Sequence, residues 1–286
     1  MKNISFIGTG VMGASIVNHL LQAGYPVTVH TRTKGKADPL IAAGAKWAST
    51  VAEAVQQADL IFTMVGMPTD VEEIYLNVDG IVANGRSGQI VVDMTTSSPA
   101  LAKKIEKAAI EKGMTSLDAP VSGGDVGAKN GTLSIMCGGD ESVFEQVKPI
   151  FMKFGSQIVL QGSAGAGQHT KMSNQLAIAT NMIGVCEALV YAEKAELNPE
   201  RVLESISPGA AGSWSLSNLG PRMLAGNFEP GFYTKHFLKD LRIALDEASA
   251  MDLDLPGLQL AIRLYEDLMA KGYGDKGTQV LYKHYQ

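Results

Sequence analysis

Up to residue 162 the chain alternates short apolar runs with segments whose apolar residues recur at helical spacing. Short apolar runs are typical of strands buried on both faces, and helical spacing is typical of the amphipathic helices that cover them. Strands are predicted at 3–7, 26–30, 59–65, 89–93, 115–118, 133–137 and 157–160, with a short segment of unassigned structure near 46–47. Helices are predicted at 11–21, 36–43, 51–57, 71–76 and 99–109, the last with Ser98 as N-cap. This alternation predicts an α/β domain over residues 1–162 with a doubly wound sheet.

A glycine-rich stretch, 162–167, marks a change of pattern, because beyond it no strand alternation is evident. Helices are predicted at 168–197, 199–206, 213–225, 237–251 and 256–271. The first of these is apolar all round, which predicts burial on several sides and a position between domains. The sequence therefore predicts an all-α C-terminal domain over residues 163–286, joined to the first domain by a long interdomain helix.

Composition narrows the class of protein. With 286 residues, of which 45% are hydrophobic and 19% charged, the chain can build two cores. A net charge of −5 gives no general attraction for nucleic acid or an anionic membrane. No run is expected to be long and uncharged enough to span a bilayer, and the first strand begins too early to leave room for a signal peptide. We therefore expect a cytoplasmic protein.

The two cysteines, Cys137 and Cys186, lie in apolar surroundings, which favours reduced core thiols over a disulfide. The five histidines are scattered and show no metal-ligand spacing, so no structural metal is expected.

The turn after the first strand has the spacing G-x-G-x-x-G at Gly8, Gly10 and Gly13. Gly8 permits a tight turn, Gly10 lets the backbone approach a pyrophosphate, and Gly13 allows close packing of helix on strand. The helix that begins with Val11 and Met12 would hold the phosphates at its N-terminus. Any tight strand-to-helix turn favours glycine, but the strands and helix on both sides favour a dinucleotide-binding Rossmann domain.

The end of the second strand bears on the choice of dinucleotide. An NAD site normally has an acidic residue there for the ribose hydroxyls, whereas a 2′-phosphate needs a cation. This chain has Thr31, Arg32 and Thr33, followed by Lys36, with no acid at the tip. NADP is therefore favoured over NAD. The alternatives are an Arg32 that is only a solvated loop residue, and an NAD-preferring site.

Three further stretches carry candidate chemistry. Ser122, Gly123 and Gly124 follow a predicted strand, where a hydroxyl and successive backbone N–H groups could bind a carboxylate; the alternative is a plain glycine turn.

Lys171 and Asn174 lie three residues apart on one predicted helix. Apolar surroundings and a nearby oxidised nicotinamide would lower the pKa of the lysine, which suits acid/base catalysis; the alternative is a lysine that reaches solvent.

The third stretch contains Lys239 and Asp240 at the start of an amphipathic helix. Adjacent residues do not face each other on a helix, so we expect separate partners, with Lys239 reaching toward cofactor or substrate. Two solvated charges are the alternative.

Together these stretches resemble the β-hydroxyacid dehydrogenase family, which includes 3-hydroxyisobutyrate dehydrogenase, tartronate semialdehyde reductase, glyoxylate/succinic semialdehyde reductase and 6-phosphogluconate dehydrogenase. The resemblance spans essentially the whole chain and depends on four motifs in order, at 8–13, 118–124, 165–174 and 239–241. It implies that Lys171 is the catalytic lysine, that Asn174 and the 122–124 turn position the substrate, and that Lys239 lies where cofactor and substrate meet.

The resemblance also assigns cofactor contacts to Met64, Val65, Gly66 and Thr96. Two departures from the family pattern are Val65-Gly66, where members usually have Leu-Pro, and Thr31, where many have Asp. The first keeps a backbone contact, and the second supports NADP.

Hydride transfer between NADP(H) and a small β-hydroxy acid or semialdehyde is the implied reaction. The decarboxylating branch has an acid seven residues after its lysine, where this chain has Ile178, so decarboxylation is not expected. By analogy Trp214 and Phe232 could wall the carboxylate pocket, although structural aromatics are the plainer interpretation. A catalytically silent dinucleotide sensor or scaffold is the alternative function, and apolar C-terminal helices make a homodimer or homotetramer plausible.

Overall fold

The computed structural model describes residues 2–286. It separates into two compact units, one that ends at Lys171 and one that runs from Met172 to Gln286. The strands, all in the first unit, are β1 (Ile4–Ile7), β2 (Val27–His30), β3 (Lys46–Trp47), β4 (Leu60–Thr63), β5 (Ile90–Asp93), β6 (Thr115–Asp118), β7 (Val121–Ser122), β8 (Leu133–Gly139) and β9 (Gly155–Gly162).

The helices of the first unit are α1 (Val11–Gln22), α2 (Asp38–Ala42), α3 (Val51–Gln56), α4 (Pro68–Leu76), α5 (Ile81–Asn84), α6 (Pro99–Glu111), α7 (Gly124–Asn130) and α8 (Glu141–Phe151). The division between the units falls within α9 (Ala166–Lys194). The second unit continues with α10 (Pro199–Ile206), α11 (Trp214–Leu224), α12 (Thr234–Ala250), α13 (Pro256–Ala270) and α14 (Tyr282–Tyr285). Short 3₁₀ turns lie at Lys34–Lys36 and Thr278–Leu281.

The sheet has the order β3-β2-β1-β4-β5-β6-β8-β7, with β9 beside β8. Pairs from β3 to β6 are parallel, whereas β8 runs antiparallel to β6 and β7 and parallel to β9. The chain order reverses between β1 and β4, which is the position where open α/β sheets bind ligands. The predicted doubly wound α/β fold is confirmed, with an antiparallel extension.

The central strands are buried on both faces, as their continuous apolar runs predict. On β4, Leu60 and Phe62 pack in one core and Ile61 packs in another. The ring of Phe62 lies 6.0 Å from that of Phe151 and 6.2 Å from that of Phe154. These contacts fix the strands from which the loops at the sheet edge emerge.

Residues 172–286 are helices and turns, apart from an isolated bridge between Tyr233 and Gly277. Their core includes Phe237 and Tyr265, whose rings lie 5.1 Å apart edge to face. The hydroxyl of Tyr265 donates to the carbonyl of Thr278 at 2.9 Å, so this buried phenol is satisfied. The predicted all-α C-terminal part is confirmed.

Helix α9 is not buried all round. Up to Tyr191 its exposed residues recur every three or four positions, and Glu193 and Lys194 at its end are exposed as well; the recurring residues are Ser173, Ala177, Thr180, Gly184, Glu187 and Tyr191. The prediction of burial on several sides is therefore wrong for this stripe, because small and polar residues interrupt the apolar ones there.

The length and composition of α9 would also allow it to cross a membrane, and it is the single helix in residues 2–286 that passes this test. This departs from the expectation that no segment is apolar enough. Core helices pass the same test, and Met182, Cys186 and Leu189 of α9 pack in the core of the second unit.

Candidate active site

The candidate cofactor residues of the first unit gather at one edge of the sheet. Because β2, β1, β4, β5 and β6 are parallel neighbours, the loops that follow them emerge side by side. These loops contain Thr31–Thr33, Gly8–Gly10, Met64–Gly66, Thr95–Ser97 and Ala119–Pro120. The sheet topology thus brings together motifs that are far apart in the chain.

The glycine turn after β1 is shaped for a close ligand. Gly8 has φ +102°, and a Cβ there would lie 2.2 Å from the carbonyl oxygen of Met64. A Cβ on Gly13 would lie 2.1 Å from the carbonyl oxygen of Gly8, so both glycines are required by packing. Within residues 2–286, a Cβ on Gly10 would meet nothing within 4 Å, and the N-cap residue of α1, Gly10, makes no side-chain capping hydrogen bond. The positive end of α1 therefore faces open space, which fits a pyrophosphate.

The loop after β2 carries positive charge, but also an acidic partner that the sequence did not predict. Thr31 is half-buried, whereas Arg32, Thr33 and Lys36 are exposed. The guanidinium Nη1 of Arg32 donates to Oδ1 of Asp70 at 3.2 Å, and Asp70 belongs to the first turn of α4. Since 85% of the Arg32 side chain is exposed, this ion pair is weak.

A buried acid underlies the loops after β4 and β5. Oδ1 of Asp93 accepts hydrogen bonds from the Thr63 hydroxyl at 2.9 Å and the Thr95 backbone N–H at 3.0 Å. The Thr95 hydroxyl oxygen in turn accepts from the N–H of Val65 at 3.0 Å. Burial raises the pKa of Asp93 to about 6. Asp93 thus ties two of the candidate cofactor loops together.

A second buried acid, Asp118, holds the start of α9. Its carboxylate accepts from the backbone N–H of Gly165 at 2.7 Å and of Gln168 at 2.8 Å. Burial raises the pKa of this carboxyl, and the N–H donors oppose that shift. A Cβ on Gly167 would lie 2.3 Å from the carbonyl oxygen of Met136, so glycine is needed where the helix passes over the sheet.

Lys171 is buried, with 6% of its surface exposed. Its Nζ donates to the carbonyl oxygen of Val121 at 2.9 Å. The lysine therefore does not reach out to solvent. That carbonyl immediately precedes Ser122, and Gly123 and Gly124 follow with φ of +128° and +63°. The structure brings the candidate catalytic amine to the base of the candidate carboxylate turn.

The second unit contains a chain of polar contacts. The amide of Asn174 donates to Oε1 of Gln175 at 2.7 Å, and the amide of Gln175 donates to Oδ2 of Asp240 at 2.6 Å. Nζ of Lys239 lies 2.9 Å from Oδ1 of Asp240, with 9% and 1% of the two side chains exposed. The prediction that these two residues do not contact each other is wrong, because the long lysine side chain folds back onto its neighbour. Asp240 does have a separate partner as well, in Gln175.

The geometry of this ion pair is not that of a hydrogen bond. Among residues 2–286, no donor meets Asp240 Oδ1 in hydrogen-bond geometry, although the ammonium lies at ion-pair distance. The two charges still attract each other at this distance, because a charge interaction needs no particular angle.

The two candidate pocket aromatics are on the surface of the second unit. Trp214, the first residue of α11, is 66% exposed, and Phe232 is 38% exposed. The ring of Phe232 lies 6.0 Å from that of Phe237, edge to face. Phe232 is thus anchored on one side and open on the other.

The sequence analysis assigned no role to five polar residues in or near these motifs, of which Asp118 and Gln168 lie within the motifs: Asp70, Asp93, Asp118, Gln168 and Gln175. Two of them had a usable signal, since an acid that ends a buried strand is an unusual choice; Asp93 ends β5 and Asp118 ends β6. The two glutamines interrupt an apolar helix, but nothing in the sequence indicates their partners.

The cysteines have no chemical part in this arrangement. Cys137 and Cys186 are free and buried, and burial raises the pKa of the Cys137 thiol to about 12. Residues 2–286 contain no group of three or more His, Cys, Asp or Glu that could hold a metal ion.

A Rossmann sheet with an uncapped glycine turn at its switch point defines a dinucleotide-binding protein. Residues 3–162 match the family model described as the NAD binding domain of 6-phosphogluconate dehydrogenase. Residues 165–285 match the model described as NAD-binding of NADP-dependent 3-hydroxyisobutyrate dehydrogenase.

Individual relatives agree with these matches. The chain is 58% identical to the uncharacterized oxidoreductase YkwC of Bacillus subtilis (strain 168), over 99% of this chain and 98% of that protein. It is 40% identical to 2-hydroxy-3-oxopropionate reductase of Escherichia coli (strain K12), over 94% and 92%. The solved structure of Mycobacterium tuberculosis 3-hydroxyisobutyrate dehydrogenase with L-serine matches with a TM-score of 0.92 and 30% identity, over 100% of this chain and 99% of that one.

The chain therefore belongs to the β-hydroxyacid dehydrogenase family, as the motifs indicated. It is an NAD(P)-dependent oxidoreductase.

Proposed function

We propose that the protein interconverts a small β-hydroxy acid and its semialdehyde with NADP(H), using Lys171 as general acid/base. The substrate is of the 3-hydroxyisobutyrate, tartronate semialdehyde, glyoxylate or succinic semialdehyde type. The observation that carries this proposal is the buried Lys171 amine, held against the Val121 carbonyl beside the 122–124 turn.

Proton transfer is the task of Lys171. A bound nicotinamide supplies hydride acceptance or donation at the substrate carbon. In oxidation the Lys171 amine removes the hydroxyl proton, and in reduction its ammonium protonates the developing alkoxide. The hydrogen bond to Val121 holds the amine in place before the substrate arrives, which lowers the entropic cost of reaching a reactive geometry.

The 122–124 turn and Asn174 orient the substrate. Ser122 offers a hydroxyl, and Gly123 and Gly124 offer backbone N–H groups, which suit a carboxylate. The amide of Asn174 would donate to the same substrate oxygen that Lys171 serves. Its contact with Gln175 supports this role, because a fixed amide orients its ligand better than a mobile one.

NADP preference is supported by the charges after β2. Arg32, Lys34 and Lys36 are exposed there and could pair with a 2′-phosphate. Asp70 opposes this preference, since it holds Arg32 and could itself accept from ribose hydroxyls. The exposed pair contributes about 0–1 kcal/mol, so a doubly charged phosphate should displace the carboxylate.

A substrate panel tests the proposal. Purified protein is mixed with NADPH, and in parallel with NADH, and with glyoxylate, succinic semialdehyde, tartronate semialdehyde or methylmalonate semialdehyde, and loss of reduced-nicotinamide absorbance is followed. We expect turnover with at least one aldehyde and a higher kcat/KM with NADPH. A flat response across the panel despite tight NADPH binding would overturn the catalytic proposal. Faster turnover with NADH would overturn only the NADP preference.

A further inference from the structure

Gln168 is a fully buried glutamine whose side chain bridges two backbone groups. Its Oε1 accepts from the N–H of Ser97 at 2.9 Å, and its Nε2 donates to the carbonyl oxygen of Thr95 at 2.8 Å. The two contacts bracket Thr96, the candidate cofactor residue in the loop after β5. A primary amide satisfied at both ends in this way is rigid, and losing either contact leaves a buried polar group without a partner.

The same residue is anchored through its backbone. The N–H of Gln168 donates to Asp118 at the end of β6, and Lys171 follows one turn later on α9. Thr95 in turn binds the N–H of Val65 through its hydroxyl. Gln168 therefore joins the lysine helix to the loops after β4, β5 and β6, within a single compact unit.

We propose that Gln168 is a positioning residue that fixes the loop around Thr96 and the helix carrying Lys171 in one geometry for dinucleotide binding and catalysis. The proposal deepens the function given above and rests on it for the roles of Thr96 and Lys171. The site is specific for a primary amide at position 168. The Ser97 N–H needs an acceptor and the Thr95 carbonyl needs a donor, both at the end of one side chain. An ionised glutamate offers two acceptors, and a methionine offers no strong donor or acceptor.

The test is the Kd for NADP⁺ of the Gln168→Glu variant. Isothermal titration calorimetry measures this Kd at a series of pH values between 5.5 and 8. At pH 8 the carboxylate would oppose the Thr95 carbonyl, so we expect the Kd for NADP⁺ to rise about tenfold relative to wild type. A protonated carboxyl can donate to Thr95 and accept from Ser97 together. The difference from wild type should therefore shrink as the pH falls to 5.5.

The contribution of other titratable groups to the pH dependence cancels when the variant is compared with wild type. The network contains Asp93 and Asp118 at the strand ends and His169 and Lys171 on α9, and wild type carries all four. Only the new carboxyl differs between the two proteins. A pH-reversible Kd separates positioning from packing, because a loss of packing would lower stability without being repaired by acid.

Gln89 provides a matched control. It is also fully buried, its Nε2 donates to the carbonyls of Val55 and Ala58, and its Oε1 accepts from the N–H of Arg86. It lies before β5, at the opposite end of that strand from Thr95. Gln89→Glu should lower the urea midpoint but leave the pH dependence of NADP⁺ binding as in wild type.

Several outcomes would overturn the proposal. One is wild-type NADP⁺ affinity in Gln168→Glu at every pH; another is the same pH-reversible weakening in Gln89→Glu. If Gln168→Glu does not fold, Gln168→Met keeps the side-chain length without a charge and should also raise the Kd about tenfold; an unchanged Kd contradicts us. These readouts need no turnover, so they stand even if the substrate panel is flat.

Discussion

Asp93 shows how one buried residue makes stability depend on pH. Its hydrogen-bond partners Thr63 and Thr95 are neutral and only partly offset its burial, which raises its pKa from 3.8 to about 6. An acid with a raised pKa in the folded state binds a proton on folding. Its contribution to stability is therefore greatest below pH 4, falls as the pH rises toward 6, and is constant above that.

We expect the free energy of unfolding of wild type, relative to Asp93→Asn, to fall by about 2 kcal/mol between pH 4 and pH 6.5, because the asparagine does not titrate. Urea unfolding at a series of pH values measures this. Asp59→Asn is the control: an N–H of Asn3 lowers the pKa of this half-buried carboxyl below 3.8, so its stabilising effect is lost only at lower pH and its curve should stay nearly parallel to wild type between pH 4 and pH 6.5. Parallel curves for wild type and Asp93→Asn would contradict the account.

Helix α9 is capped by a residue from another element, and this makes its first turn sensitive to a remote substitution. Asp118 accepts hydrogen bonds from two backbone N–H groups at the start of α9. Ser98 accepts only one, from the N–H of Leu101 at the start of α6. Asp118→Ala would orphan two buried donors. We expect it to cost roughly 2–4 kcal/mol of stability, against roughly 1 kcal/mol for Ser98→Ala.

Urea unfolding of the two alanine variants at pH 7 makes the comparison. An equal or smaller loss for Asp118→Ala would mean that the strand end does not hold the helix.

Local signals decided which elements could be predicted. The start of α6 was predicted correctly because Ser98 and Pro99 act on their own helix. Helix α7 was missed because Gly124 and Gly127 disfavour a helix; Gly127 lies under Leu133, where a Cβ would approach to 3.3 Å. Helix α8 was missed despite readable signals, an Asp140 cap and apolar residues at helical spacing.

The candidate site was predictable to the same extent. Glycine spacing and the lysine motif are local, so those residues were found. The partners of Lys171, Gln168 and Asp240 come from residues 50, 71 and 65 positions away, and only the fold brings them together. The Lys239–Asp240 contact was not predicted for a different reason. An argument from helix faces describes Cα positions and not the reach of a long side chain.

At the scale of the whole molecule, binding and folding are linked through the glycine turn. A ligand at about 100 times its Kd stabilises the folded state by about 2.7 kcal/mol. Gly10→Ala should fold normally, because its φ is −69° and the added Cβ meets nothing, yet it would occupy the space offered to the pyrophosphate. We expect an unchanged melting temperature without ligand and little stabilisation by NADP⁺.

Gly13→Ala is the contrasting variant, since its Cβ would collide with the backbone of Gly8 and lower the melting temperature without ligand. Thermal unfolding with and without NADP⁺ distinguishes the two. Full stabilisation of Gly10→Ala by NADP⁺ would refute the phosphate site.

The most direct test of the account is the comparison of Lys171→Ala with wild type on the best aldehyde of the panel. Loss of the acid/base group should lower kcat about 10²-fold to 10⁴-fold or more, while the Kd for NADP⁺ stays close to that of wild type. Lys194→Ala, an exposed lysine in the last turn of the same helix, should leave both values unchanged. A Lys171→Ala enzyme that kept its full kcat would contradict the central claim.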